Sequence, residues 1–359
     1  MIPFKSVLRA LGALAGFAHG WRLQGPHIPH GIRRRTHAPE PDVESWADEF
    51  GTVERPDGGR LAWTATGSGG PVFVLVHGVT LGGHVWRNQV EDLARDALVV
   101  TVDQRGHGAS DPWTGPHGLT HLGADLAALI ESLGLGDVVL VGHSLGGIAT
   151  AQFLVDHPEL RDERVAGAVF LSTTATTRLV SARLGRMGAL VRPVEAAGLA
   201  VVPRLVPGVV SSVVAPPRRG VLATRLAYGA RVDEADLRYT HAQVSNVLTP
   251  TLRRVFGSLG SFHLLDRLGD VPTPALVMCG DRDMITPRYL SRRLHTALAD
   301  SSYVEVRGGG HMLMHETPQY LSDNLRCFAE SVLPDAWPDA WPGAWSDVRR
   351  TRPGIAAAG

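Results

Sequence analysis

Residues 137–147 read DVVLVGHSLGG, an apolar run followed by a serine that lies between glycines. The run predicts a β-strand, and Ser144 falls on the sharp turn into the helix that follows. Gly142 and Gly146 suit this turn because it is strained and leaves no room for neighbouring side chains. A hydroxyl there would lie at a helix N-terminus, where the dipole favours developing negative charge. The alternative is a Gly-rich turn with an incidental serine, since the five-residue pattern also occurs by chance.

Two downstream loops supply partners for this serine. A serine becomes a useful nucleophile only when a base takes its proton and a third group orients the base. Asp283 follows the predicted strand 275–279, and His311 follows the apolar segment 303–306. The carboxyl ends of parallel strands converge at one edge of a sheet. The sequence therefore predicts that Ser144, Asp283 and His311 meet there.

A candidate oxyanion hole lies earlier in the chain. The predicted strand 72–76 ends in His77-Gly78-Val79-Thr80, and a helix is predicted to begin near Trp86. Backbone N–H groups of Val79 and Leu145 could point at the same carbonyl oxygen. Preorganised donors of this kind supply about 2.7–4 kcal/mol each to a transition state.

Together these motifs resemble the α/β-hydrolase-fold serine hydrolases, in particular their capped esterase- and lipase-like group. The resemblance covers roughly residues 60 to 330, and its motifs occur in the family's order. They are His77-Gly78, the run DQRGHGAS at 103–110, the Ser144 turn, Gly280-x-x-Asp283-x-x-x-Pro287, and Gly310-His311 followed by Glu316 and Pro318.

The resemblance implies a role for each candidate residue. Ser144 would be the nucleophile, His311 the base and Asp283 the acid, while the backbone N–H groups of Val79 and Leu145 would form the oxyanion hole. No cofactor is implied. A serine at the turn argues against epoxide hydrolases and haloalkane dehalogenases, which place an aspartate there. The short loop after His77 argues against lipases that carry three glycines at that point.

Two neighbouring residues compete for these roles. Asp281 is also close to the predicted strand end, but the family's acid comes three residues after Gly280 and four before Pro287, which selects Asp283. His143 precedes the serine directly. We interpret it as a packing residue in preference to a second base.

A metal site is a weaker hypothesis. His311 and His315 are four residues apart and could share a helical face, but no H-E-x-x-H pattern or third ligand cluster accompanies them. We therefore expect no metal. Arg105 and His107 are expected to shape the loop after the strand at 99–102, and Asp103 is expected to be structural.

Composition agrees with one large α/β domain. The chain has 359 residues, of which 44% are hydrophobic, so it can bury a sizeable core. Alternating strand-like and helix-like segments predict a mainly parallel twisted sheet with helices on both faces, including helices at 119–133, 148–154 and 320–333. A net charge of zero gives no indication of nucleic-acid binding. Cys279 and Cys327 are expected to be buried free thiols.

A long insertion interrupts the core pattern. We divide the core into residues 48–172 and 272–333, with a helical cap at 173–271 between them, because the interval far exceeds an ordinary connection. From Arg178 to Asp270 there are thirteen arginines and six acidic residues. This aliphatic, basic segment suits a hydrophobic substrate or an anionic membrane surface. The alternative is an ordinary lid with a solvated arginine-rich face.

Both ends of the chain are predicted to be additions. Residues 1–47 are interpreted as an amphipathic helix and a linker, and residues 334–359 as a flexible tail with repeated tryptophans. The helix is too short to span a bilayer, and an interfacial or docked helix is favoured over a signal peptide. A cytoplasmic location is expected, secretion less so. Peripheral membrane contact through the N-terminal helix, the cap or the tail stays open.

The sequence thus predicts a carboxylic ester hydrolase that forms an acyl-enzyme and acts on a small hydrophobic substrate. The same triad also serves C–C bond hydrolases, thioesterases and cofactor-free perhydrolases. A slow-turnover ligand receptor and a membrane-associated scaffold are further alternatives. Substrate identity and acyl chain length stay open.

Overall fold

The computed structural model describes residues 46–112, 118–177, 221, 224–230, 232–246, 249–259 and 262–336. The predicted amphipathic helix, residues 178–220 of the predicted cap and the tail beyond residue 336 lie outside the described residues. None of the helices in the described part has the length and apolarity that a bilayer crossing requires.

The described residues form an eight-stranded sheet with strand order β1-β2-β4-β3-β5-β6-β7-β8. Its strands are β1 (Glu49–Glu54), β2 (Arg60–Thr66), β3 (Val72–Val76), β4 (Leu98–Val102), β5 (Val138–His143), β6 (Val165–Leu171), β7 (Ala275–Gly280) and β8 (Ser301–Val306). β1 and β2 pair antiparallel, as do β2 and β4, and the remaining neighbours are parallel. The mainly parallel sheet predicted from the sequence is confirmed.

Nine α-helices are found in the described ranges. They are α1 (Arg87–Leu93), α2 (Thr120–Ser132), α3 (Leu145–Asp156), α4 (Pro158–Arg164), α5 (Glu234–Asn246), α6 (Thr249–Ser258), α7 (Arg288–Ala297), α8 (Leu313–Glu316) and α9 (Pro318–Val332). The three helices predicted near residues 119–133, 148–154 and 320–333 are confirmed as α2, α3 and α9.

The sheet is covered on both faces because successive strand residues point to opposite sides. In β3, Val74 and Val76 join one core cluster with residues of α2 and α3, whereas Phe73 and Leu75 join a second cluster with residues of α1 and α9. The β3 residues 73–76 are completely buried. An uninterrupted apolar strand of this kind is typical of a parallel strand buried on both faces.

The parallel strands bring four functional segments to one edge of the sheet. The predicted oxyanion loop 77–80 follows β3, Ser144 follows β5, the loop 281–287 with Asp283 follows β7, and the loop 307–312 with His311 follows β8. These strands run in the same direction, so their carboxyl ends lie on the same side, where such sheets bind ligands.

The chain leaves the core after β6 and re-enters it before β7, and these two crossing points lie side by side. The Thr177 N–H donates to the Phe262 carbonyl at 3.1 Å, and the Leu264 N–H donates to the Ala175 carbonyl at 2.9 Å. Helices α5 and α6 lie between these two crossing points. The inserted segment is therefore attached through a short antiparallel pairing of its two ends.

Candidate active site

Ser144 occupies a strained turn between β5 and α3. Its φ of 51° and ψ of −112° are unusual for a residue with a side chain. The Ser144 N–H donates to the Leu171 carbonyl at 3.0 Å, and the Thr173 hydroxyl donates to the Ser144 carbonyl at 2.6 Å. The end of β6 therefore holds the turn on both sides of the serine.

Glycine is required in the first turn of α3. A Cβ built on Gly146 would overlap the Val76 carbonyl oxygen and would lie 2.8 Å from the His77 carbonyl oxygen. These atoms belong to the backbone and cannot rotate away. The crowding predicted for the serine turn is present.

Asp283 and His311 are joined directly. The His311 Nδ1–H donates to Asp283 Oδ2 at 2.8 Å. The carboxylate also accepts the N–H groups of Ile285 and Thr286 at 2.8 and 2.9 Å, and the Thr286 hydroxyl at 2.8 Å. Burial alone would raise the pKa of Asp283, but the nearby His311 and the hydrogen bonds from His311 and Thr286 outweigh it, so that pKa is lowered. Asp283 is thus an ionised acceptor, and Nδ1 carries the imidazole proton.

The structure separates the two competing aspartates. Asp281 Oδ1 accepts the Gly308 N–H at 2.7 Å, and its carboxylate thereby fixes the turn after β8. Asp283, in contrast, contacts the imidazole of His311. The choice of Asp283 from the glycine–proline spacing agrees with this geometry.

Ser144 is linked to His311 through the residue that precedes it. The His143 Nε2–H donates to the His311 carbonyl at 3.0 Å, and the two rings lie 4.7 Å apart between centroids. Among the described residues, the Ser144 side chain makes no hydrogen bond, so its link to His311 is not formed in this structure. Such links are often long in free enzymes and tighten when substrate binds.

His143 is a buried neutral residue, as the packing interpretation requires. Burial, followed by the nearby His311, lowers the pKa of His143 well below its usual value. The ring also meets the Trp86 indole edge-on, with 6.4 Å between centroids. His143 therefore both packs and donates a hydrogen bond to the backbone of the candidate base.

The oxyanion loop adjoins the serine and presents a free donor. A Cβ built on Gly78 would lie 3.1 Å from the Ser144 Cβ. The His77 Nδ1–H donates to the Gly78 carbonyl at 2.7 Å, and His77 Nε2 accepts the Gln104 N–H at 2.9 Å. In a planar trans peptide, the Val79 N–H points away from that fixed carbonyl.

Val79 and Leu145 carry the two donors predicted from the sequence. No acceptor for either N–H is found in the described part of the chain. Leu145 is the first residue of α3, where backbone N–H groups have no partner within the helix. Both N–H groups are thus available to an external oxygen.

A second buried histidine supports the same loop. His107 Nε2 accepts the Thr80 N–H at 3.2 Å, and its Nδ1–H donates to the Arg105 carbonyl at 3.1 Å. Burial lowers the pKa of His77 to about 4, and burial together with the nearby His77 lowers that of His107 to about 3. Both rings are neutral. His107 thus shapes the oxyanion loop after β3 as well as its own loop.

Arg105 and Asp103 have structural partners. The buried Arg105 guanidinium pairs with Asp57 at 2.8 Å and with Asp125. Asp103 accepts the N–H groups of Gly83 and Ala109 at 2.7 and 2.9 Å. Asp103 is structural, as expected. The support that His77 gives to the Gly78 carbonyl was not predicted, although the position of His77 directly after a strand was a usable signal.

The described residues contain no cluster of three or more His, Cys, Asp or Glu side chains that could hold a metal ion. His315 Nδ1 lies 2.9 Å from the Tyr228 hydroxyl. Cys279 and Cys327 do not form a disulfide, and Cys279 is buried as expected. Cys327 is only half-buried, since its position on α9 leaves it near the helix's outer side.

Comparisons with known proteins agree with this architecture. Residues 73–323 match the alpha/beta hydrolase family. An uncharacterized protein of Mycobacterium tuberculosis is 26% identical over 320 residues, which cover 84% of this chain and 86% of that protein. The putative carbamate hydrolase RutD of Escherichia coli O157:H7 is 30% identical over 246 residues, which cover 67% and 84%. An esterase (EaEST) from Exiguobacterium antarcticum has a similar structure, with a TM-score of 0.65, 19% identity and coverage of 78% and 98%.

Proposed function

The chain belongs to the alpha/beta hydrolase family, and we propose that it cleaves carboxylic esters through an acyl-enzyme formed on Ser144. The family match, together with the mainly parallel sheet, confirms the α/β-hydrolase fold predicted from the motifs. The observation that carries the proposal is the hydrogen bond between His311 and Asp283 at the sheet edge where the strained Ser144 turn lies.

The geometry suggests a role for each group. Because Nδ1 of His311 donates to Asp283, Nε2 has a free lone pair that can take the Ser144 proton. The serine oxygen then attacks the ester carbonyl, and the N–H groups of Val79 and Leu145 stabilise the oxyanion. The protonated imidazole gives its proton to the leaving alcohol. A water molecule, activated by His311 in the same way, releases the acid and restores the serine.

Asp283 has two tasks in this scheme. It keeps the proton of the neutral imidazole on Nδ1, and it stabilises the positive charge that the ring carries during each proton transfer. The four donors around its carboxylate keep it ionised and fix its orientation. Apart from the ester and the water molecule, these steps use only groups of this chain.

The inserted segment is proposed to form a cap that shapes the substrate pocket. The hydrogen bond from Thr177 to Phe262 brings the two ends of the insertion together after β6, at the sheet edge where the candidate site lies. A cap of this kind excludes water and contacts the acyl or alcohol group. Its aliphatic composition favours a small hydrophobic ester.

Carbamate hydrolysis is a second candidate, because the relative that is 30% identical is named a putative carbamate hydrolase. A carbamate also presents a carbonyl to the serine and an oxyanion to the same two donors. Matched p-nitrophenyl esters and carbamates, which share one leaving group, distinguish the two functions by their ratio of kcat/KM.

Replacement of the serine tests the proposal. Ser144→Ala is expected to lower kcat for p-nitrophenyl butyrate by several orders of magnitude, up to about 10⁶-fold. Ser331→Ala is the control, because Ser331 only donates to the Phe328 carbonyl on α9. A fluorophosphonate probe should label the natural protein at Ser144, as mapped by mass spectrometry. Turnover in Ser144→Ala equal to that of the control, or labelling at another residue, would refute the assignment.

A further inference from the structure

Glu316 makes an unusual set of contacts beside the candidate base. Its carboxylate, 7% exposed, accepts the Gly229 N–H at 2.7 Å, the Gly310 N–H at 3.0 Å and the Met312 N–H at 3.2 Å. Gly310 and Met312 are the two neighbours of His311 in the chain. One side chain therefore holds the peptide groups on both sides of the histidine.

The backbone of His311 is held as well. Its N–H donates to the Ala227 carbonyl at 2.8 Å, and its carbonyl accepts the His143 Nε2–H at 3.0 Å. With the two contacts of Glu316, the three N–H groups of residues 310 to 312 and the His311 carbonyl are all held by hydrogen bonds. The position of the imidazole follows from the position of this backbone.

Residues 227–230 of the inserted segment take part in the same network. The Ala230 N–H donates to the Gly308 carbonyl at 2.8 Å, next to the contact between Gly229 and Glu316. A Cβ built on Gly310 would overlap the Gly229 nitrogen and would lie 2.5 Å from the Tyr228 carbonyl carbon. The two chain segments thus touch through their backbones, with no space for a side chain between them.

The chemistry of Glu316 suits this position. Three N–H donors converge on one point, and only a group with two acceptor oxygens and no proton satisfies all of them. Glutamine has the same shape but presents an NH₂ group, which must face at least one of the N–H donors. Hydrogen bonds from backbone N–H to a carboxylate are also stronger than those to a neutral acceptor.

We propose that Glu316 is a positioning residue for catalysis: by accepting the N–H groups of Gly310, Met312 and Gly229, it sets where the imidazole of His311 lies relative to Ser144. Glu316 touches neither substrate nor reacting atoms. The inference rests on the proposed function, because it assigns His311 as the base.

Glu316→Gln tests this role. The variant is expected to lower kcat for p-nitrophenyl butyrate by about 10- to 100-fold, since a shift of about 1 Å in a catalytic group has an effect of this size. The KM should stay within about twofold, because no substrate contact is lost. Glu316→Asp keeps the charge but has a shorter side chain, so its kcat should lie between those of the natural protein and Glu316→Gln. It serves as the test if Glu316→Gln does not fold.

Asp92→Asn is the matched control. Asp92 Oδ2 accepts a hydrogen bond from Nη1 of the buried Arg326 at 2.7 Å, so Asp92→Asn also removes a carboxylate charge that has a buried partner. It lies near the C-terminal end of α1, and Ala94, just after this helix, lies next to Gly67 in the connection that leads to the start of β3, at the opposite edge of the sheet from His311. Its kcat should equal that of the natural protein.

A second measurement does not depend on turnover. The His311 Nδ1–H bound to Asp283 should give a downfield proton NMR signal, which shifts or disappears in Glu316→Gln and persists in Asp92→Asn. If Glu316→Gln folds and keeps both kcat and this signal, Glu316 is only structural and the inference is refuted. If the natural protein hydrolyses no ester and Ser144 is unreactive, the proposed function fails, and the NMR signal alone decides whether Glu316 positions the histidine.

Discussion

Gly146→Ala probes how closely α3 approaches β3 at the candidate site. The added Cβ would overlap the Val76 carbonyl oxygen, lie 2.6 Å from the Val76 carbonyl carbon and lie 2.8 Å from the His77 carbonyl oxygen. Ordinary van der Waals contact begins near 3.4 Å. Since all three atoms are backbone atoms, the first turn of α3 must move away by about 1 Å.

Two effects determine the change in stability. Overpacking of this kind costs about 1–3 kcal/mol, and contact with backbone places Gly146 at the upper end. Alanine recovers about 1 kcal/mol through its better helix propensity. The expected loss is therefore about 2 kcal/mol, or about 3 °C in Tm for a domain of this size.

The effect on activity should be larger than the effect on stability. The same movement shifts Ser144 and the Leu145 N–H relative to the Val79 N–H. A displacement of about 1 Å is expected to lower kcat by about 10²-fold.

Gly136→Ala provides the control for this experiment. A Cβ built there has nothing within 4 Å, so Tm and kcat should stay unchanged. Thermal unfolding and initial rates on p-nitrophenyl butyrate are measured for both variants. A Gly146→Ala protein that matches Gly136→Ala in both measurements would show that α3 does not fix the site in the way inferred here.

Two further predictions concern buried charge. His77 and His107 have pKa values of about 4 and 3 in the fold against 6.5 when unfolded, so their contribution to stability is complete above pH 6.5 and is lost as the pH falls toward 4. His77 alone accounts for about 3 kcal/mol of this loss. The free energy of unfolding in urea should therefore fall between pH 7 and 4.5, and it should fall less in His107→Gln than in the natural protein. Equal decreases in the two proteins would contradict this. Arg105→Gln removes the guanidinium that pairs with the buried Asp125 and should lower the free energy of unfolding in urea by about 3–5 kcal/mol, part of which Asp125→Asn should restore in the double variant. A single variant as stable as the natural protein would refute the second prediction.

The sequence predicts those parts of the site that local chemistry specifies. The Ser144 turn is recognisable because its strand, its glycines and its serine are adjacent, and Asp283 is distinguished from Asp281 by spacing alone. The core strands are recognisable as apolar runs. The antiparallel strand β1 was not predicted because its sequence, EFGTVE, is short, mostly exposed and lacks such a run.

The supporting contacts could not be predicted, because they join residues that are distant in the chain. His107 reaches Thr80 across 27 residues, and Glu316 reaches Gly229 across 87. Nothing near His107 or Glu316 in the sequence indicates which N–H group each would accept. Tertiary packing decides these partners, and only the structure reveals them.

The candidate site is held by buried groups whose charge states must be maintained together. His77, His107 and His143 bind backbone groups as neutral rings, whereas Asp283 binds His311 as an ionised carboxylate. A pH low enough to protonate the three rings would put positive charge into buried positions next to the oxyanion loop and the serine turn. In the folded protein the rings of His77 and His107 stay neutral down to about pH 4 and 3, so between pH 6.5 and 4 it is the unfolded chain that gains protons. The free energy of unfolding therefore falls over this range while the charge states of these two rings in the folded protein are kept. Because the pKa of Asp283 is lowered by His311 and by its hydrogen bonds, its carboxylate also stays ionised as the pH falls from 6.5 toward 4, so acid lowers the stability of the whole fold before it changes the charges of the candidate site.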